Sequence, residues 1–170
     1  MVSVQVLKGF EPFKGLDDGE LARIAKLCSE VGLIKDERIF AEGTRATHLH
    51  LLRSGKVDVV LWVREPWNKA VTIHQAGQGE LFGWSAVVAP YTYTASADCA
   101  EAGEEICIEG SELLDLFDQN PHMAYAVMRG ISAQISARLR ETRQRLSTEW
   151  LSTGTPGPTG SGPWGEPSKR

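Results

Sequence analysis

The sequence predicts a mainly β domain flanked by helices, and three observations carry this prediction. Apolar residues recur at helical spacing over residues 18–30. From Val31 to Ile108, short runs of Val, Ile, Leu and Thr alternate with turn residues, a pattern typical of a compact β unit. Helical spacing returns after Gly110 and continues to about Trp150.

Composition and charge narrow the functional class. The chain has 170 residues, 42% of them hydrophobic and 24% charged, which suits one globular domain over residues 1–150. The net charge of −4 offers no electrostatic footprint for nucleic acid. No apolar run approaches the ~20 residues that span a bilayer, and the N-terminus lacks a secretion signal. We therefore expect a cytoplasmic protein with no membrane partner.

The three cysteines, Cys28, Cys99 and Cys107, form an odd set without paired spacing. Free, buried and inert thiols in a reducing compartment are the expectation. No Ser-His-Asp or Cys-His arrangement stands out, so we predict no catalytic residues and no enzyme activity.

The first helix is predicted over residues 18–30. Asp17 can cap its start, and Glu20, three residues on, completes a capping box. Gly32 is expected to end the helix. Its apolar face comprises Leu21, Ile24, Ala25, Leu27 and Cys28.

The β unit is predicted to contain eight short strands. Gly43 and Gly55 lie where tight turns need a positive φ, and Ser54-Gly55 has the form of a hairpin turn. The predicted strands are Val31–Ile34, Arg38–Ala41, His48–Arg53, Lys56–Val63, Ala70–Gln75, Leu81–Gly83, Tyr93–Cys99 and Glu105–Glu109.

The stretch from Gly79 to Ala97 is the most informative part of the β unit. A strand end runs into Gly83, residues 85–88 fit one helical turn, and Pro90 stops it. The free N–H groups at such a turn can hold a phosphate or another small anion, although most such turns bind nothing.

Two helices and a tail are predicted to follow. A short helix over Glu112–Phe117 ends at Asn120-Pro121, which also starts a long helix. We expect the arginines of the long helix to be solvated partners of its glutamates, Glu141 and Glu149. Residues 151–170 are rich in Gly and Pro and are predicted to be a disordered tail.

This order of parts resembles the cyclic nucleotide-binding domain, the sensor module of the catabolite activator family and of kinase regulatory subunits. The resemblance covers about residues 8–147. It implies a β-roll, a double-stranded β-helix of jelly-roll type, with an N-terminal helix and a long C-terminal helix. Four stretches carry it: Ile39–Gly43, Leu49–Val57, Gly79–Gly83 at the entry to the phosphate-binding cassette, and Thr94-Ala95 at its exit.

Two of the family's ligand contacts are absent from this sequence. The family places a ribose-binding Glu after Phe-Gly, where this chain has Trp84. It places a phosphate-binding Arg before Thr/Ser-Ala, where this chain has Tyr93. A neutral Tyr cannot replace the charge-assisted, bidentate contacts of Arg. We therefore expect a regulatory sensor with a degenerate cassette that does not bind cyclic AMP tightly.

The ligand stays unknown at this stage: a cyclic nucleotide or another small anionic ligand. In one interpretation, Trp84, Tyr91 and Tyr93 fill the old pocket and leave a ligand-free protein-interaction scaffold. In another, they line a flatter pocket for a different ligand; in a third, a weakly held cyclic nucleotide takes its countercharge from Arg45, Arg53 or Lys69. The candidate ligand-binding residues are Phe82, Gly83, Trp84, Ser85, Ala86, Tyr93, Thr94 and Ala95.

A cupin-type metal-binding protein is a further alternative. His48 and His50 share one strand face, as in such barrels, but the expected carboxylate does not follow and only His74 offers a third ligand. We therefore predict no metal site, and a packing role for His50. Glu101, Glu104 and Glu105 are expected to form a solvated turn.

The partner is predicted to be a small-molecule ligand or another protein. The long helix also favours a homodimer, through the apolar stripe of Val127, Met128, Ile131 and Ile135. Transcription factors of this family carry a helix-turn-helix domain after this helix, whereas only the Gly/Pro tail follows Trp150. We expect no DNA binding by this chain alone.

Overall fold

A computed structural model describes residues 2–152 of the chain, with side chains described for residues 2–144. Six strands are flanked by helices, which confirms the predicted fold class. The helices are α1 (Val4–Leu7), α2 (Asp18–Lys26), α3 (Gly110–Gln119) and α4 (Pro121–Ser152), with single 3-10 turns at Glu11–Phe13 and Trp84–Ala86. The strands are β1 (Cys28–Leu33), β2 (Arg38–Phe40), β3 (His48–Val63), β4 (Lys69–Ala76), β5 (Leu81–Phe82) and β6 (Ser96–Glu109).

The sheet is antiparallel throughout and follows the order β1-β6-β3-β4. The short strands complete it, with β2 pairing with β6 and β5 pairing with β3. The long strands β3 and β6 pair with each other from His48↔Glu109 to Val60↔Ser96. They therefore form the central strand pair of the β-roll, and the cassette connects β5 to β6.

The predicted hairpin at Ser54-Gly55 is wrong, because β3 continues through it as one strand. Its pairing with β6 shifts register between Leu52 and Val57, so the two residues lie in an irregular bend. Gly55 has φ +86°, and a Cβ there would lie 2.5 Å from the carbonyl oxygen of Glu101. The glycine therefore permits a close crossing of two strands rather than a chain reversal.

The predicted helix over residues 18–30 is four residues too long. The capping box is confirmed: the Asp17 carboxylate accepts from the Glu20 N–H at 2.8 Å, and Glu20 accepts from the Asp17 N–H at 3.0 Å. However, α2 ends at Lys26, Cys28 begins β1, and Gly32 pairs with Glu104 inside that strand. Pairing with β6 satisfies the backbone of residues 28–33 and overrides their local helical pattern.

Apolar side chains are buried in a helical layer and inside the roll. The helical layer joins the N-terminal segment to α4, through Phe13, Leu21 and Ile24 on one side and Val127 and Ile131 on the other. The roll interior is filled by side chains from the strands, including Leu52, Val57, Phe82, Ala97 and Cys99. Within residues 2–152, no helix combines the length and apolar character needed to cross a membrane.

The predicted dimer stripe on α4 is divided by this packing. Val127 and Ile131 are fully buried in the chain's own core, so they are not available to a second copy. Met128 and Ile135 are half-buried, and Leu139 is 50% exposed. The helix continues to Ser152, two residues into the predicted tail, while residues 153–170 lie outside the described part of the chain.

Candidate functional site

The cassette begins where β5 ends at Phe82. Gly83 has φ +71° and starts the 3-10 turn Trp84–Ala86, which is shorter than the helical turn predicted over residues 85–88. A Cβ on Gly83 would lie 2.8 Å from Cδ2 of His50. Both the left-handed backbone and the close approach to His50 therefore favour glycine at this position.

Tyr93, at the position where the resemblance places a phosphate-binding Arg, points into the roll and is only 4% exposed. Its ring stacks on Phe40 with centroids 3.7 Å apart and planes 9° from parallel. Its hydroxyl donates to the His48 carbonyl at 3.0 Å and accepts from the His48 N–H at 3.2 Å. Burial raises the pKa of the Tyr93 phenol, so this position carries a neutral ring at neutral pH.

Two further rings, those of His50 and Phe82, extend this stack beneath the cassette. His50 packs against Phe82 with centroids 4.9 Å apart and against Phe40 at 5.3 Å. His50 therefore packs among aromatic rings, as the sequence predicted. The predicted pocket-filling role applies to Tyr93 but not to Tyr91, which is 43% exposed.

The candidate ligand-binding residues differ in their access to solvent. Phe82, Ala86, Tyr93 and Ala95 are buried, so a ligand could reach them only after this packing opened. The other four are more accessible: Gly83, Trp84 and Ser85 are half-buried, and Thr94 is exposed.

Arg138 of α4 contacts the cassette, which contradicts its prediction as a solvated surface arginine. Its guanidinium lies 4.7 Å from the ring centroid of Trp84, and Nη2 donates to the carbonyl oxygen of Leu81. The side chain is only 11% exposed. The sequence does contain a signal for this burial. Arg138 follows the buried Ile131 by seven residues, and that spacing places both side chains on the same face of the helix.

A carboxylate beside Arg138 extends this contact. Glu80 Oε1 lies 3.7 Å from Arg138 Nη2 and 3.2 Å from His74 Nε2, while His74 Nδ1 lies 3.7 Å from Glu141 Oε2. Burial would raise the pKa of Glu80, but hydrogen bonds from His74 and the Gly77 N–H, with the charges of His74 and Arg138, lower it overall.

An open cleft of about 710 Å³ lies outside the aromatic stack, between the cassette loop and the start of α3. Arg45 lies in this cleft, whereas Arg53 pairs with Glu30 at 2.7 Å and Lys69 is exposed at the start of β4. The lining also includes Thr47, Tyr91, Thr92, Glu109, Ser111 and Asp115. Of the three proposed countercharges, only Arg45 adjoins the cassette loop in this cleft.

The cupin-type ligand set does not form. His48 contacts the Thr47 hydroxyl, and His74 contacts Glu80 and Glu141 rather than His50. His50 instead contacts Glu105, Nδ1 to Oε2 at 3.1 Å. The prediction of a solvated Glu105 is wrong: it lies on β6 and is 2% exposed, because residues 101–105 continue a strand rather than form a turn.

The thiols are protonated at neutral pH, as expected of inert cysteines. Burial, with the nearby charge of Glu30, raises the pKa of Cys28 to about 12. Burial also raises the pKa of Cys99 and, together with Glu105, that of Cys107.

Known proteins share this sequence pattern and fold. A CRP-like cAMP-activated global transcriptional regulator of Mycobacterium tuberculosis is 23% identical over 145 residues, which are 85% of this chain; the chain spans 62% of that protein. A solved structure from Geobacter metallireducens GS-15, assigned as cyclic nucleotide-binding, is 28% identical, with a TM-score of 0.73 over 82% of this chain and 99% of that one.

The regulatory domain of Toxoplasma gondii PKA, crystallised with cAMP, shares the fold alone, at 17% identity and a TM-score of 0.59. The match covers 68% of this chain and 42% of that one. The family described as the cyclic nucleotide-binding domain matches residues 31–120, more than half of the sequence. With the β-roll and cassette described above, this match shows that the chain belongs to the cyclic nucleotide-binding domain family.

Proposed function

We propose that this domain is a regulatory module whose cassette does not hold cyclic AMP tightly, and whose state is transmitted through the position of α4. The observation that carries the proposal is the buried ring of Tyr93, stacked on Phe40 where the family's phosphate-binding Arg would stand. A neutral ring at this position lacks the positive charge that would bind a phosphate, and it also occupies the space inside the cassette.

The energetic consequence is large. Hydrogen bonds to charged groups contribute about 1.5–3 kcal/mol each. Losing both the phosphate contact at Tyr93 and the ribose contact at Trp84 corresponds to roughly a hundred- to ten-thousandfold weaker binding.

The contact between Arg138 and the cassette supports α4 as the output element. Arg138 joins the helix to Trp84 by a cation–π contact and to Leu81 by a hydrogen bond. A ligand or partner that moves the Trp84–Ala86 turn must therefore either break the contact with Arg138 or move α4 together with the turn. The input in this proposal is a small anionic ligand other than tightly held cyclic AMP. Its proposed contacts are the eight cassette residues Phe82–Ala86 and Tyr93–Ala95, with Arg45 as the nearby cation.

A ligand-free protein-interaction scaffold is the second candidate function. The aromatic stack beneath the cassette favours it, because that space is already occupied by protein. Two exposed tryptophans near the β3–β4 connection, Trp62 and Trp67, offer the kind of side chain that protein interfaces use.

A homodimer through α4 is also proposed, now through its accessible side chains. Met128, Ile135 and Leu139 lie outside the fully buried set that holds Val127 and Ile131. Sedimentation analysis tests this directly: Ile135→Asp should dissociate the dimer, and a monomeric wild-type chain would contradict it.

A thermal-shift panel tests the sensor proposal, with cyclic AMP, cyclic GMP, cyclic dinucleotides and small acids as ligands. A ligand of the native state must raise the midpoint as its concentration rises. Trp84→Ala and Tyr93→Ala should change the shift, whereas the matched control Trp67→Ala should not. If both cassette variants respond as the wild type does, the cassette is not the ligand site; silence across the panel favours the scaffold.

A further inference from the structure

We propose that His50, Glu105 and Cys107 form a buried binding site for a divalent transition-metal ion, with Zn²⁺ the best match. The site lies inside the roll, beneath the cassette, and uses a different residue set from the cupin-type pattern. It does not depend on how the cassette treats cyclic AMP.

Strand register brings the three side chains together. Cys107 is the direct cross-strand partner of His50, in the pairing of β3 with β6. Glu105 lies two residues before Cys107, so both side chains project from the same face of β6. All three residues are buried, and they form a group of potential metal ligands within the described part of the chain.

The spacing of the donor atoms suits one metal ion. His50 Nδ1 lies 3.1 Å from Glu105 Oε2 and 3.5 Å from Cys107 Sγ, and Cys107 Sγ lies 3.3 Å from Glu105 Oε1. In a tetrahedral zinc complex with ordinary bond lengths, such donors are separated by about 3.3–3.6 Å. Small side-chain adjustments would therefore place all three donors around one ion.

The hydrogen bonds of His50 support the same conclusion. The Tyr93 hydroxyl donates to the His48 carbonyl, so it can meet His50 Nε2, 3.5 Å away, only as an acceptor. One tautomer of His50 therefore carries its proton on Nε2 and leaves the Nδ1 lone pair facing the Glu105 carboxylate, whereas the other donates its Nδ1–H to that carboxylate at 3.1 Å. In the first tautomer, Nδ1 is free to bind a metal ion in place of the proton between His50 and Glu105.

The charge and chemistry of the donors select the ion. A thiolate, a carboxylate and a neutral imidazole carry a total charge of −2, which a divalent ion neutralises inside the roll. The mixture of sulfur, nitrogen and oxygen donors suits Zn²⁺ and excludes Mg²⁺ or Ca²⁺ as the preferred ion. On binding, the Cys107 S–H bond breaks, a sulfur–metal bond forms, and that proton leaves to solvent. The ion also displaces the proton between His50 Nδ1 and Glu105, which moves to Nε2 of the ring or leaves to solvent. Three protein ligands leave a fourth tetrahedral position for an external ligand.

Cobalt titration of the full, chelator-treated chain tests the site, because thiolate-bound Co²⁺ has a characteristic near-ultraviolet absorption. We expect one Co²⁺ per chain, that absorption band, and displacement of Co²⁺ by Zn²⁺. Cys107→Ser should abolish the band and weaken binding at least tenfold. Cys99→Ser is the matched control, since Cys99 is also a buried thiol on β6 but lies outside the cluster; it should keep the band.

A second variant keeps the test decisive if Cys107→Ser does not fold. Glu105→Gln keeps the size of the side chain and leaves the Cys107 thiolate in place. This variant should therefore retain the absorption band but bind Co²⁺ at least tenfold more weakly. The absence of stoichiometric Co²⁺ and Zn²⁺ binding at micromolar concentrations in the wild-type chain would overturn the proposal. Co²⁺ binding that is unchanged in both Cys107→Ser and Glu105→Gln would also overturn the proposal. In that case a proton, not a metal ion, lies between His50 and Glu105.

Discussion

Tyr93 makes structural contacts at the position where the family pattern predicts a ligand-binding Arg. Its hydroxyl satisfies the backbone of His48, and its ring covers Phe40. Because both contacts are internal, the residue stabilises the closed roll whether or not anything binds outside it.

Tyr93→Phe should therefore destabilise the domain without changing its packing. The substitution leaves the His48 carbonyl without its hydroxyl donor, and an unsatisfied buried polar group costs about 1–3 kcal/mol. Urea unfolding measures the loss. Tyr91→Phe is the matched control, because the Tyr91 side chain is exposed and should contribute little. Equal stabilities for the two variants would contradict the role assigned to Tyr93.

Gly83 should be more sensitive to substitution than Gly43, although both have positive φ. Gly83→Ala adds a contact at 2.8 Å with His50 to the backbone strain, whereas a Cβ on Gly43 meets nothing within 4 Å. The strain alone costs about 1–2 kcal/mol, and overpacking adds about 1–3 kcal/mol. Thermal or urea unfolding of the two Ala variants separates these effects. A smaller loss for Gly83→Ala would show that His50 moves freely aside.

At the scale of elements, Arg138 joins two parts that the sequence presents as separate. Arg138→Ala should release the C-terminal half of α4 from the cassette, because it removes the contacts with Trp84 and Leu81. Hydrogen exchange should become faster in α4 beyond Ile135, while the half that contains buried Val127 and Ile131 stays protected. Arg140→Ala, at an exposed position on the same helix, is the control. Unchanged protection in Arg138→Ala would rule out this docking.

Glu80 makes the stability of the contact between α4 and the cassette depend on pH. Its pKa is lowered in the folded chain, so its stabilising contribution is complete above the unfolded value, about 4.3, and is lost as pH falls through the folded value. Glu80→Gln should therefore be less stable than the wild type at neutral pH, and the difference should shrink in this acidic range. Urea unfolding from pH 7 to pH 3 measures it. A difference that stays constant with pH would exclude the charge of Glu80 as its cause.

For the whole molecule, periodicity and motif order predicted the fold class, the capping box at Asp17 and the long helix after Asn120-Pro121. Long-range pairing decided the rest. Residues 28–30, predicted as the end of the first helix, pair with β6 and belong to β1. Pairing with β6 also keeps β3 continuous through Gly55. Local pattern holds no information on such register, because it depends on residues some fifty to eighty positions away.

The site was predictable only where a motif marks it. The family pattern predicts where the cassette lies and which ligand-binding residues Trp84 and Tyr93 replace. It did not reveal that Tyr93 would be buried, that Arg138 would reach Trp84, or that Glu105 would face His50. These facts follow from the way α4 and β6 pack on the cassette and β3, which no spacing in the sequence expresses.

Isothermal titration calorimetry of cyclic AMP into the purified chain tests most directly whether the ring of Tyr93 closes the cassette. The regulatory domain of Toxoplasma gondii PKA, which crystallised with cAMP, serves as the positive control in the same buffer. We predict no saturable heat from this chain at micromolar cyclic AMP. Saturable one-to-one binding at those concentrations, weakened by Tyr93→Ala, would contradict the closed cassette. The domain would then bind cyclic AMP as an ordinary cyclic-nucleotide sensor does.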